Sequence, residues 1–351
     1  MDGAKVGVTR PRIAVIGLGS MGRNHVRLLQ DMEECTLAAV CDANPAAVEW
    51  AASRYGTAGF ASPKELLSTV DLDAVVVAVP TSAHLEVGIA ALERNLHVLI
   101  EKPIAGDLEQ AQTLADAAES RGRRLAVGHV ERFNPAIREL KVRLRKGELG
   151  RILQIHARRL GPFPPRIRDV GVVIDLATHD LDVMSHLIDG EVIRLFAETE
   201  RRINTAHEDM VSAILKFDSG TVGVLDVNWL TPTKVRDLSV LGERGMFHVN
   251  YLTQELTFYA NSAVRDGQDP NTLSAVTEGN MVRFQIAHAE PLRLELLSFI
   301  NAITQDRPVE LGAADGIRAL RLATLLIQSA EEGKAIELVP SRVESKVDAH
   351  P

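Results

Sequence analysis

Residues 12–22 read RIAVIGLGSMG. Arg12 to Ile16 is a short apolar run of the kind that forms a strand covered on both faces. Directly after it, Met21, Val26, Leu28 and Leu29 recur at helical spacing, which predicts a helix over 21–30. Between the two stand Gly17, Gly19 and Gly22. A G-x-G-x-x-G string is weak alone, but in a strand-to-helix turn it has the context that binding a dinucleotide requires. Gly17 permits the tight turn, Gly19 lets the backbone approach a pyrophosphate, and Gly22 lets helix and strand pack closely. The free N–H groups at the helix start, at Ser20 and Met21, then face the phosphates.

Outward from this turn, strand and helix alternate. Strands are expected at 36–41, 59–61, 74–79, 97–100 and 124–127, and helices at 45–54, 84–94 and 107–120. Ser62-Pro63-Lys64-Glu65 reads as a capping box that starts one further helix. Strands separated by helices of this length imply right-handed crossovers and a parallel sheet, whose ligands bind outside the carboxyl ends of the strands. The second strand ends at Asp42, where an acid holds the ribose hydroxyls of the adenosine and repels a 2′-phosphate, which predicts NAD over NADP. The alternative for Asp42 is a plain turn aspartate before Asn44-Pro45. Thr81, Ser82 and His84 follow the fourth strand and can line the cofactor edge, or cap the next helix. Glu101-Lys102-Pro103 ends the fifth strand. A charged pair is costly there without a purpose, and the strand end points it at the cofactor crevice.

The chain has 351 residues, which suits two domains. With 46% hydrophobic and 25% charged residues it has ample material for a core, and its net charge of −8 speaks against a nucleic-acid coat. Its two cysteines, Cys35 and Cys41, have neither a disulfide-scaffold nor a zinc spacing. The N-terminus lacks the apolar stretch of a signal peptide, and the longest apolar run, Ala74 to Pro80, is too short for a membrane span. A cytoplasmic enzyme with no nucleic-acid or membrane partner is expected.

In the second half, strand-like runs at 151–159, 192–199, 210–217, 221–229, 236–241 and 246–249 are followed by helices at 290–303 and 313–331. Asp175 and His179 stand four apart and share one helix face. Histidine is a base with a pKa near neutrality, so His179 is a candidate to take a substrate proton and Asp175 to orient it. A metal site at this pair is a weaker reading, since no HExxH or cysteine cluster supports it. RRLGPFPPRIR at 158–168 holds four arginines and no acid, and its prolines predict a stiff loop. Guanidinium groups grip phosphate bidentately, so the loop suggests a phosphorylated substrate; an oligomer contact is the alternative.

GLGSMG at 17–22, Asp42, EKP at 101–103, GHVERFNPA at 128–136 and GVVIDLATHDLD at 171–182 together resemble the glucose–fructose oxidoreductase/inositol dehydrogenase (Gfo/Idh/MocA) family. The resemblance covers nearly the whole chain. It implies a Rossmann NAD-binding domain at 1–128 and, at 129–340, an α+β domain with an open, mostly antiparallel sheet that receives substrate and makes oligomer contacts. The helix at 313–331 would pack back on the first domain, and 341–351 would be a frayed tail. It also implies that Lys102, Asp175 and His179 serve the chemistry, with NAD contacts at Gly17, Gly19, Ser20, Met21, Gly22, Asp42, Thr81, His84, Glu101 and Lys102. The arginine loop with GHVERFNPA resembles the branch that oxidises the 3-hydroxyl of UDP-N-acetylglucosamine, whose keto product goes to an aminotransferase in a 3-amino-sugar pathway of lipid A or surface glycans. By that resemblance Arg132, Asn134, Arg159, Arg166 and Arg168 hold the nucleotide sugar, and a homodimer or homotetramer is expected. Many relatives carry Gly-Gly before the aspartate; here Gly171 is followed by Val172 and Val173, so the pocket is expected to differ there. An inositol or free-sugar dehydrogenase and a non-catalytic NAD-binding regulator are the competing readings.

Overall fold

The computed structural model describes residues 10–164, 170–203, 206–262 and 278–339. The chain divides into two compact units, Met1–Val130 with Glu290–Leu320, and Glu131–Ala289 with Arg321–Pro351.

The first unit is a six-stranded sheet in the order β3-β2-β1-β4-β5-β6, every pair parallel. The strands are β1 (Arg12–Ile16), β2 (Thr36–Cys41), β3 (Ala58–Phe60), β4 (Ala74–Val77), β5 (His97–Glu101) and β6 (Leu125–Gly128). Between them run α1 (Ser20–Asp31), α2 (Pro45–Tyr55), α3 (Pro63–Thr69), α4 (His84–Glu93) and α5 (Leu108–Ser120). This is the doubly wound Rossmann order, with the reversal between β1 and β4. Ile13, Val15, Val40, Val76 and Leu99 of the strands pack with Val26 and Leu29 of α1, and with Leu292, Leu296, Phe299 and Ile300 from a helix late in the chain. Each side chain so buried contributes about 1.5–3 kcal/mol. The capping box expected at Ser62 does not form. Ser62 is the N-cap of α3, but its side chain makes no capping hydrogen bond, and Pro63 at the first position sets the helix start instead.

The second unit begins with a 3₁₀ turn at Val130–Phe133 and α6 (Pro135–Arg145), a helix the periodicity reading did not single out. Its strands are β7 (Ile152–Pro162), β8 (Val192–Glu200), β9 (Met210–Phe217), β10 (Val222–Asn228), β11 (Leu230–Gly242), β12 (Gly245–Asn250), β13 (Glu255–Ala260), β14 (Met281–Phe284) and β15 (Ile336–Glu337). They form one sheet in the order β14-β13-β12-β11-β7-β10-β9-β8-β15. All pairs are antiparallel except β7 with β10. On the inner face, Ile155, Ala157, Leu225, Leu238, Val240 and Phe247 pack against Ile137 and Leu140 of α6 and Leu181 and Met184 of α7 (Thr178–Leu187). The last helices are α8 (Pro291–Thr304) and α9 (Ala313–Glu332); α9 contributes Leu322, Ala323 and Leu326 to this second core. Among the described residues, no helix is long and apolar enough to cross a membrane.

The expected arginine loop is largely not a loop. β7 continues through Arg158, Arg159 and Leu160 to Pro162, so the strand's alternation sends Arg158 and Arg159 to opposite faces. Arg166 and Arg168 lie outside the described residues.

Candidate functional site

The glycine turn sits where the strand order reverses. Gly17 has φ +97°, and a Cβ on it would stand 2.4 Å from the carbonyl oxygen of Ala78, so both conformation and space require glycine. A Cβ on Gly22 would lie 1.8 Å from the Gly17 carbonyl oxygen, which ties the first turn of α1 to the end of β1. Gly19 differs: nothing lies within 4 Å of the position its Cβ would take. It is the N-cap of α1, no side chain caps that end, and Ser20 beside it is exposed. Open space over an uncapped helix N-terminus fits a pyrophosphate. Met21 faces the other way and packs on the core.

Asp42 ends β2, half-buried. Its Oδ2 accepts the Leu18 N–H at 2.6 Å and its Oδ1 the Asn44 N–H at 2.8 Å. The carboxylate therefore braces the glycine turn from the end of β2, the strand end at which a Rossmann sheet offers its ribose-reading acid. The residue is both things the sequence allowed, a turn aspartate and a ligand candidate.

At the end of β5, Glu101 is buried and its Oε1 takes a 2.8 Å hydrogen bond from Nε2 of His25, a fully buried residue of α1. Burial opposes ionisation of Glu101, but the His25 bond and the nearby charges of His25 and Lys102 outweigh it and hold the carboxyl below its usual value. Lys102 itself is half-buried, and the Lys102–Pro103 peptide is cis. His84, the first residue of α4, is buried with Nδ1 2.9 Å from the Pro103 carbonyl and Nε2 3.0 Å from the Val79 carbonyl. Burial pushes its pKa down, against the pull of those two carbonyls. It thus braces the Glu-Lys-Pro turn. Thr81 opens the 3₁₀ turn Thr81–Ala83, and neither it nor Ser82 caps α4 with its side chain. His25 carried no distinguishing signal in the sequence beyond its place on α1.

In the second unit Asp175 lies in a π turn, Val173–Ala177, and His179 in the first turn of α7, both half-buried. Single π turns inside helices recur at functional sites. The turn is anchored by Glu208, which the sequence reading missed. Glu208 is buried; its carboxylate accepts the Val173 N–H at 3.1 Å and its carbonyl the Val172 N–H at 3.0 Å. A Cβ on Gly171 would stand 2.0 Å from that carboxylate, so the one glycine here makes room for Glu208, while Val172 and Val173 are buried in the core.

The arginines and Asn134 are placed as follows. Arg132 is buried and bidentate to Asp182 at 2.7 and 2.6 Å. Asn134 caps α6 through the Ala136 N–H and donates to the Tyr251 carbonyl at 3.1 Å. Arg159 is buried, bidentate to Asp180 at 2.6 and 3.0 Å, and reaches Glu131 at 2.8 Å. Burial works against its charge, yet Asp180 and Glu131 outweigh it and raise its pKa above the ordinary value. Arg158 pairs with Asp237 on the other face at 2.9 and 2.7 Å. The Arg132 and Arg159 pairs fasten the helix bearing His179 to the sheet and to the turn before α6, while the Arg158 pair ties β7 to β11.

The first unit is thus a dinucleotide-binding module, and the second carries an aspartate and a histidine on an anchored helix, residue types that suit the proton transfer of a dehydrogenase. Residues 11–129 match a family profile described as "Oxidoreductase family, NAD-binding Rossmann fold", and residues 137–248 match the GFO/IDH/MocA C-terminal domain. A UDP-N-acetylglucosamine 3-dehydrogenase of Acidithiobacillus ferrooxidans is 31% identical over 89% of this chain and 95% of its own length. A crystal structure of that enzyme superposes with a TM-score of 0.82 over 92% of this chain and 98% of that one. A myo-inositol 2-dehydrogenase of Thermotoga maritima is 26% identical over 93% of this chain and 98% of its own. The WlbA dehydrogenase of Bordetella pertussis, solved with NADH and UDP-GlcNAcA, is 25% identical with a TM-score of 0.77 over 94% and 99%. The chain belongs to the Gfo/Idh/MocA family of oxidoreductases, and its cofactor is NAD.

Proposed function

We propose that the protein oxidises the 3-hydroxyl of UDP-N-acetylglucosamine, or of a close nucleotide sugar, with NAD. The observation that carries this reading is the likeness, over nine-tenths of the chain, to an enzyme named for that reaction. NAD, when bound, supplies the acceptor for the hydride. The rest is the work of this chain's residues. The α1 N-terminus and the Gly19 opening hold pyrophosphate, and Asp42 the ribose hydroxyls. Lys102 donates to the reacting oxygen and lowers the energy of the developing alkoxide. His179 takes the hydroxyl proton at its ring nitrogen, and Asp175 orients it. Arg132, Asn134 and Arg159, engaged within the second unit, shape the substrate pocket rather than grip the sugar nucleotide, and Arg166 and Arg168 keep the role of diphosphate partners. The product is a ketone, which an aminotransferase can convert to a 3-amino sugar; that enzyme is the functional partner this reading implies, in a pathway to lipid A or surface glycan. The reading also takes the protein as a homodimer or homotetramer, acting in the cytoplasm.

The test is incubation with NAD and UDP-N-acetylglucosamine, following NADH absorbance and searching by mass spectrometry for a product two hydrogens lighter. That product, in the presence of an aminotransferase if equilibrium demands it, supports the reading. Turnover of myo-inositol with none of the nucleotide sugar would replace it by the inositol-dehydrogenase reading.

A further inference from the structure

Four arginines stand on β7, on β11 and in the turn before α6, and three of them hold carboxylates bidentately: Arg132 with Asp182, Arg158 with Asp237, Arg159 with Asp180. The fourth, Arg236 on β11, does not. Its register partner across β7 is Arg159, so both point to the inner face, toward α7 and the π turn. It is half-buried, and its Nη1 donates only to the backbone carbonyls of Leu160 and of Val235, the latter at 2.7 Å. Among the described residues no carboxylate lies within ion-pair distance of it. Burial and the Arg159 charge push its pKa down, to about 10, while Asp180, Glu131 and Asp175 pull the other way. Asp180 and Glu131 are already engaged by Arg159. The arrangement leaves a fixed, partly desolvated guanidinium, with donors to spare, in electrostatic reach of the proposed acid–base residue Asp175.

A neighbouring group supports the same patch. Tyr251 follows β12, and its N–H bonds the Arg236 carbonyl at 3.0 Å. Its side chain is buried, and its hydroxyl has no hydrogen-bond partner among the described residues. A buried hydroxyl without a partner is costly in a finished core and marks a place where a ligand completes the bonding.

We propose that Arg236 is a specificity-determining residue that grips an oxyanion of the substrate, phosphate or sugar carboxylate, beside the reacting hydroxyl. The inference rests on the nucleotide-sugar reading above and adds to it the residue that selects a charged over a neutral substrate. Nothing covalent is involved; the guanidinium stays protonated throughout.

The test compares the wild type with Arg236→Gln and Arg236→Lys, each with NAD, on three substrates: UDP-N-acetylglucosamine, its uronic-acid analogue, and myo-inositol. Calorimetric Kd is measured beside kcat and KM. For Arg236→Gln the expected result is a rise of about ten- to a hundredfold in Kd and KM for the charged substrates, the range for a lost charge-assisted hydrogen bond. Any turnover of inositol stays within about twofold, and Arg236→Lys recovers part of the affinity. A loss shared by both nucleotide sugars assigns the phosphate; a loss confined to the uronate assigns the carboxylate. Unchanged affinity for both nucleotide sugars in Arg236→Gln overturns the inference and leaves the proposed function standing. An equal fall in kcat on every substrate, inositol included, also overturns it and makes Arg236 a positioning charge for Asp175. A wild type that binds only inositol overturns the function and the inference together.

Discussion

At the scale of single residues, the last two glycines of the turn make separable predictions. Gly22→Ala puts a Cβ 1.8 Å from the Gly17 carbonyl, so it should destabilise the ligand-free protein by more than about 2 kcal/mol, as a steric insertion in a packed site does. Gly19→Ala meets open space, so ligand-free stability should stay within about 0.5 kcal/mol while NAD affinity falls. Denaturant melts without cofactor and NAD titration of both variants check this; equal melting midpoints for the two would show that the turn is not packed as described. His179 belongs to the same scale. His179→Gln should lower kcat by about 10²–10⁴ with NAD affinity unchanged, the usual size of a lost general base. Loss of NAD binding instead would place His179 in the cofactor site. The sequence made these residues legible because each sits at a motif position with a known physical demand. It hid His25, Glu208, Tyr251 and Arg236, whose significance arises only from partners far along the chain: His25 with Glu101, Glu208 with Gly171, Arg236 beside Arg159.

At the scale of elements, buried ion pairs decide where α7, which carries His179, lies. Removing one partner of a buried pair strands the other charge, at a cost of about 3–5 kcal/mol. Asp182→Asn and Asp180→Asn should each cost that much by equilibrium denaturation, against about 0–1 kcal/mol for breaking the more exposed Arg158–Asp237 pair. A similar small value for all three would mean that the buried pairs do not hold α7. The His25–Glu101 bond joins α1 to β5 in the same way and adds a pH dependence. Glu101 is held below its unfolded value, so its contribution is full above the ordinary glutamate range near 4.5 and is lost as pH falls through the folded value. His25→Phe removes the bond that does this, so the acid limb of a stability–pH curve should flatten relative to wild type. An unchanged acid limb would mean that the carboxyl is not held by His25. Strand and helix periodicity was readable for most of these elements. The extension of β7 beyond Arg159 to Pro162 was not, because a Gly-Pro and further prolines suggested a loop from Arg158 on, while in the sheet Arg158 and Arg159 alternate faces and each finds its own carboxylate.

At the scale of the whole molecule, the nine-stranded sheet has a second face. Helices α6 and α7 cover the inner one. On the outer face, cross-strand register aligns Phe196 with Ile214 and Val224 at one side, and Leu241 with Met246, Tyr259 and Met281 at the other. Ile214 is 56% exposed, Met281 62% and Tyr259 40%, values high for large apolar side chains lined up across neighbouring strands. Contiguous apolar patches of this kind mark interaction surfaces, and a polar middle, with His156 on Asp226 at 3.0 Å, suits a register-fixing contact between copies. An open, mostly antiparallel sheet was expected from the family resemblance, the sequence itself offering only strand-like runs; which residues share its outer face follows only from the strand order, since β7 pairs with β10 and β11 rather than with its sequence neighbour β8. The homo-oligomer proposed for this protein would therefore use this face. A double variant, Ile214→Asp with Tyr259→Asp, puts a charge in each apolar cluster and should lower the mass measured by sedimentation velocity to that of a single chain. Because both side chains point away from the core, unfolding of the dissociated chain should stay cooperative. A wild type that sediments as a monomer, or a double variant of undiminished mass, would show that this face does not join copies of the chain.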